Sequence, residues 1–139
     1  MNHRKAIHYA VALAITFGSA CGSDATAPVV TSVAGTWTLT AVNAKPLPYV
    51  FSASDPKLEV IDKRYVISAA NTFTTSLTVR STELDGSVST STTSGSGTLT
   101  LSNNIVTFTY TSDGSVLIAT VTPTTMTFNA GATQEFTRQ

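Results

Sequence analysis

Cysteine occurs once in the 139 residues, histidine twice, and charged side chains make up only 12% of the chain. Both histidines, His3 and His8, sit at the very start, so no imidazole remains beyond residue 8. That excludes Ser-His-Asp and Cys-His nucleophilic sites from the rest of the chain. It also excludes the usual zinc and haem ligand sets. No metal and no cofactor are expected. One cysteine cannot close an internal disulfide. Basic and acidic residues number 8 each, with no basic stripe, which argues against a nucleic-acid partner. Gly-rich phosphate loops are missing too, because "SGSG" at 94–97 neither follows a buried strand nor opens a helix. The carboxylates offer little more. Asp55, Glu59 and Asp62 lie beside Lys57, Lys63 and Arg64, and on an unbroken strand Glu59 and Asp62 face opposite sides. Glu83 and Asp85 flank a turn and are too few to hold calcium. These charges read as solvated loop residues, and the chain is not expected to be an enzyme.

What is present begins with a targeting pattern over residues 1–20. "MNHRK" is a positive start, "AIHYAVALAITF" an apolar run, and "GSA" a set of small residues before Cys21. The run from Ala6 to Ala20 is shorter than the ~20 apolar residues a spanning helix needs. "GSAC" at 18–21 resembles the lipobox of bacterial lipoproteins, with Gly18 standing where that family usually has an aliphatic residue. The resemblance implies cleavage before Cys21 and a diacylglycerol on its sulfur. Each buried methylene of such an anchor contributes about 0.8 kcal/mol, so two or three acyl chains hold essentially permanently. The expected partner is therefore a membrane, reached through Cys21. It would be the outer membrane in an organism with two, since no Asp follows the cysteine directly. A plain secretory signal is the alternative. Residues 21–32, interrupted by Pro28, read as an extended and unpacked tether.

From residue 33 to 139 the pattern has period two. "GTWTLTA", "FTTSLTV", "GTLTLS", "VTFTYT" and "TMTFN" each alternate apolar residues with threonine or another polar residue. Such alternation predicts half-buried antiparallel strands with threonine on the wet face. Asp85-Gly86, Asp113-Gly114 and Asn103-Asn104 predict hairpin turns, and "NAGA" at 129–132 closes a last hairpin. Gly95 and Gly97 mark a further turn or bulge. "NAKPLPYVFSASDP" at 43–56 reads as a loop with a short strand at 49–51. The uncharged stretch 86–97 reads as a linker-like loop or, preferably since Thr-rich strands still pair, an exposed edge hairpin open to a partner strand. The expected fold is all-β, an up-and-down meander of eight or nine strands closed as a barrel, with a β-sandwich as the alternative.

"GTWTLTAVNAKPLPY" resembles the opening of lipocalin-like domains, in which Gly-x-Trp begins the first strand and the Trp plugs the closed end of a barrel. Gly35 and Trp37 match that motif, and Arg138 in "EFTRQ" is the one residue placed to pack across Trp37 as the barrel-closing pair. The resemblance implies an interior that takes a small apolar molecule or lipid. Its candidate lining is Trp37, Leu39, Phe73, Leu77, Leu99, Phe108, Tyr110, Met126 and Phe128, with Ala41, Thr75 and Ala119 as the small residues that leave room. A pocket of this kind requires a cavity of about 300 Å³ or more. The competing expectation is a non-enzymatic envelope protein with a filled core, acting through its Ser/Thr-rich surface or the edge at 86–97. Threonine-rich outer faces argue against a transmembrane barrel, which needs an apolar band.

Overall fold

The computed structural model describes residues 28–139. Cys21 and the segment read as a signal lie outside them. Ten strands follow one another as β1 (Gly35–Val42), β2 (Lys45–Pro46), β3 (Tyr49–Ser52), β4 (Lys57–Ile67), β5 (Thr72–Thr82), β6 (Val88–Ser102), β7 (Ile105–Tyr110), β8 (Val116–Val121), β9 (Thr125–Ala130) and β10 (Ala132–Arg138). Among the described residues there is no helix. From β4 to β10 each strand pairs antiparallel with the next, β10 pairs with β1, and β1 returns to β4. The sheet therefore closes on itself as an eight-stranded barrel, and the sandwich alternative falls away. Tight turns make the meander: Asn103 and Asn104 both take positive φ (49° and 63°) between β6 and β7. Asparagine tolerates that left-handed conformation.

The seam between β1 and β4 is closed at one end only. Gly35–Thr38 pair with Arg64–Ile67, but beyond an irregularity between Leu39 and Ala41 the first strand leaves β4 and takes β2 as its neighbour. The first half of β4 pairs with β3 instead. The two strands thus splay apart and leave a mouth at the Val42 end.

The other end is filled. Trp37, Tyr65, Phe108, Phe136 and Met126 are wholly buried, and Phe73 and Phe128 join them with ring centroids about 5–6 Å apart. Aromatic rings packed edge-to-face and offset contribute beyond their buried area. The chain before β1 seals this end from below. Val30 is only 7% exposed, its amide donates to Asn104 Oδ1 at 2.7 Å, and Trp37 Nε1–H donates to the Val33 carbonyl at 2.8 Å. Residues 28–32 therefore do not belong to an unpacked tether, because burying Val30 and satisfying Asn104 docks them.

Gly95 and Gly97 also depart from expectation: both lie inside β6, with no turn. Gly97 sits where the Phe73 ring and the Thr109 carbonyl approach the backbone, leaving no space for a side chain. The stretch 43–56 holds β3 at the position expected for a short strand. The β5–β6 ladder runs from Thr72 paired with Thr98 to Thr82 paired with Val88, whereas β7 pairs β6 only over Gly97–Ser102. Val88–Gly95 consequently have a strand on one side only, as the exposed edge required.

Candidate functional site

The mouth is built around Lys63. On β4, Tyr65 and Ile67 face the barrel interior, and counting back by two brings Lys63 inward as well. A bulge between Val60 and Asp62 then inserts one extra residue. Val60, opposite Val79, and Lys63, opposite Leu77, therefore both face inward, and Asp62 is turned outward. A strand that continued the phase of Val60 without the bulge would present Asp62 inside and turn both Lys63 and Tyr65 outward.

Lys63 Nζ donates to Gln134 Oε1 at 2.9 Å and stands over the rings of Tyr65 and Phe136 at 5.7 and 5.9 Å. Cation–π contacts at these distances favour the ammonium modestly. Burial acts the other way and holds its pKa below the ordinary lysine value. Beneath it the Tyr65 and Tyr110 hydroxyls share a hydrogen bond of 2.8 Å. Burial raises both phenol pKa values, so both stay neutral.

Two cavities flank Lys63, and both also touch Leu77. One, of about 180 Å³, lies between the splayed strands and is lined by Leu39, Val42, Tyr49, Phe51, Val60, Ala132 and Gln134. The other, of about 220 Å³, is walled by Thr75, Thr93, Ser94, Gly95, Tyr110 and Ser112. One side of the lysine is therefore apolar and the other rich in hydroxyls. A larger concavity of about 450 Å³ lies on the outside of β4–β6, between Arg64, Val66, Thr74, Ser76 and Ser96. It is a broad groove facing solvent, and the mouth, which holds the buried Lys63 beside an apolar slot, is the better candidate on chemical grounds.

Of the nine residues expected to line an interior, Leu39, Leu77 and Tyr110 border the mouth. Trp37, Phe73, Leu99, Phe108, Met126 and Phe128 are packed into the filled end, with 4% exposure or less, and touch neither mouth cavity. Ala119 is buried there too, so it leaves no room, while Thr75 does line the hydroxyl side. The Arg138 guanidinium lies 5.4 Å from the centre of the Trp37 ring and donates to the Ala34 carbonyl, and the two residues also pair across β1 and β10. Sequence reasoning missed Lys63, Tyr65, Gln134 and Phe136.

The carboxylates are engaged elsewhere. The bulge places Glu59 and Asp62 on the same, outer face. Glu59 is held by Lys57 at 3.0 Å and Arg80 at 2.7 Å, and Asp62 by Arg64 at 3.1 Å. Hydrogen bonds from Lys57 and Arg80 keep the Glu59 carboxyl below its usual range.

A closed antiparallel barrel of eight strands is of the size at which side chains either fill the interior or leave room for one small ligand. The lipocalin-like domain family model matches residues 33–128, and the chain belongs to that family. No curated protein and no solved structure gave a significant match.

Proposed function

We propose that the protein is an exported, membrane-tethered binding protein, anchored through a lipid on Cys21, whose lipocalin-like barrel takes a small apolar or amphiphilic molecule into its mouth without chemical change. The observation that carries this reading is the pair of cavities flanking Lys63 above an otherwise filled core. Each alone falls short of the ~300 Å³ required of such a pocket, so the reading needs a ligand that occupies both sides of Lys63 as one space. The docked segment sets the orientation. Pro28 lies at the sealed end, seven residues after Cys21, a reach of about 25 Å at full extension. The sealed end then faces the bilayer and the mouth faces away, open to molecules arriving from the aqueous side.

Native mass spectrometry of residues 22–139, purified gently from a bacterial host, tests the reading. An added mass that is released on unfolding and lost in Leu77→Trp, which fills the space shared by both cavities, supports it. A bare chain that stays bare after incubation with single-chain amphiphiles of several lengths refutes it. One observation favours a second reading, an envelope interaction protein: Val88–Gly95 of β6 carry no charge and no second neighbouring strand. Under that reading, function survives Leu77→Trp and is lost when lysines are placed along this edge.

A further inference from the structure

We propose that the mouth selects single-chain amphiphiles bearing one negative charge, with the headgroup paired to Lys63 and the tail in the apolar cavity. This rests on the ligand-binding reading above and names the ligand class. An ammonium turned into a barrel needs a counter-charge or several hydrogen bonds to offset its lost hydration. Lys63 has three N–H donors, and among the described residues only Gln134 accepts one. No ion pair reaches it.

The charged groups on every strand packed against it are committed elsewhere or face away. On β4, Asp62 and Arg64 pair with each other on the outer face. On β5, Arg80 holds Glu59, also outside. On β10, Glu135 is exposed and belongs to the outer surface between β1 and β9. The remaining acids of the mouth-side loops accept hydrogen bonds of their own: Asp55 from the Leu84 amide, Asp85 from the Ser87 amide, Asp113 from the Ser115 amide and Glu83 from the Ser81 hydroxyl. Among the described residues Lys63 is thus an inward cation without an anion.

The two cavities give that missing anion a direction. On one side Leu39, Val42 and Val60 form an apolar slot. On the other, the hydroxyls of Thr93 and Tyr110 can donate to the headgroup oxygens that Lys63 does not take, while Thr75 donates to the Arg64 carbonyl at 2.9 Å. At about 180 Å³ the slot holds about six water-sized groups, which corresponds to a short alkyl tail.

The test is an NMR titration of the protein from residue 21 onward, carrying Cys21→Ser so that no acyl chain competes for the mouth. The probes are sodium octanoate, 1-octanol and octyltrimethylammonium at neutral pH. Octanoate is expected to bind about tenfold more tightly than octanol, the value of a hydrogen bond to a charged group, and the cation not to bind. Lys63→Met is expected to bring octanoate down to the level of octanol while octanol binding persists, with the fold checked by the fluorescence of Trp37. Octanol binding as tightly as octanoate in the unaltered domain, or Lys63→Met keeping the preference, overturns the anion selectivity and leaves the binding reading standing. Failure of all three probes overturns the binding reading itself, and the inference with it.

Discussion

Two glycines on one strand give a test of the packing in which the chemical change is constant and only the surroundings differ. Gly97 and Gly95 are two residues apart on β6, so their substitution by alanine adds the same methyl in the same strand. At Gly97 that methyl carbon would lie 2.0 Å from the Thr109 carbonyl oxygen and 2.8 Å from Cε1 of Phe73. The oxygen belongs to the backbone of β7, which pairs residue for residue with β6 here and cannot swing aside alone. Relief requires β6 and β7 to separate by more than 1 Å, or Phe73 to leave the aromatic cluster, and overpacking of this order costs about 3 kcal/mol. At Gly95 the same carbon would meet only side-chain atoms, Tyr110 Cε1 at 3.1 Å and Thr75 Cγ2 at 3.2 Å, at the edge of the open mouth. Those can yield by a few tenths of an ångström. Alanine also restricts the unfolded chain, a gain of about 0.4–1 kcal/mol, so Gly95→Ala should lie near neutral. Urea unfolding followed by the single tryptophan, Trp37, reads both variants. With a slope of about 1–3 kcal/mol per molar urea, Gly97→Ala should lower the midpoint by about 1 M or more. Gly95→Ala should leave it nearly unchanged. Equal shifts in the two variants would refute the argument that the approach of Phe73 and Thr109 is what demands glycine at 97.

Tyr65→Phe removes the 2.8 Å hydrogen bond to Tyr110, which lines the hydroxyl-side cavity and can turn its own hydroxyl to water; a loss of about 1 kcal/mol in urea unfolding is expected. Ala44 holds a φ of 60° in the turn between β1 and β2. Ala44→Gly should therefore raise stability by about 0.5 kcal/mol, the left-handed strain relieved less the extra freedom of glycine in the unfolded chain. Lys63→Met should stabilise the fold at neutral pH by about 1 kcal/mol, since a buried ammonium without a counter-ion is replaced by an apolar group of similar length. The pH dependence gives the sign. Burial lowers the folded-state pKa of Lys63 below its ordinary 10.5, so between those values the unfolded chain binds more protons and stability rises with pH. Urea midpoints measured from neutral pH upward should climb in the unaltered protein over that window and should lack this contribution in Lys63→Met.

Most of the strands were legible because one face of each is buried and the other wet, which writes period two into the sequence. β7 shows the rule: Val106 and Phe108 are buried, while Ile105 and Thr109 are exposed. β4 hides its message. "KLEVIDKRYVI" carries apolar residues in one phase at Leu58 and Val60 and in the other at Tyr65 and Ile67. The conflict of phase is the signal of the bulge, and following it would have placed Lys63 inside. The same alternation in "QEFTR" puts Gln134, Phe136 and Arg138 on one face, a run too short to stand out among threonines. The glycines of β6 misled for a different reason. A glycine demanded by the close approach of two distant residues, Phe73 and Thr109, looks in sequence like any turn glycine.

The candidate ligand site follows from where the barrel is least regular. A ladder that closes all eight strands along their full length brings enough aromatic side chains inward to fill itself, as the Trp37 end does. Two interruptions on the same seam prevent that at the other end. The irregularity after Leu39 peels β1 away from β4, and the bulge after Val60 shifts the phase of β4 so that a lysine replaces an aspartate in the interior. The first creates the space, and the second gives that space a sign. Straightening β4 by deleting Ile61 would restore a single phase from Val60 to Ile67, with Val60, Lys63 and Tyr65 still inward and Asp62 still outward. The mouth would keep its cation, and a preference for an anionic headgroup should survive the deletion; its loss would refute the assignment of Ile61 as the extra residue.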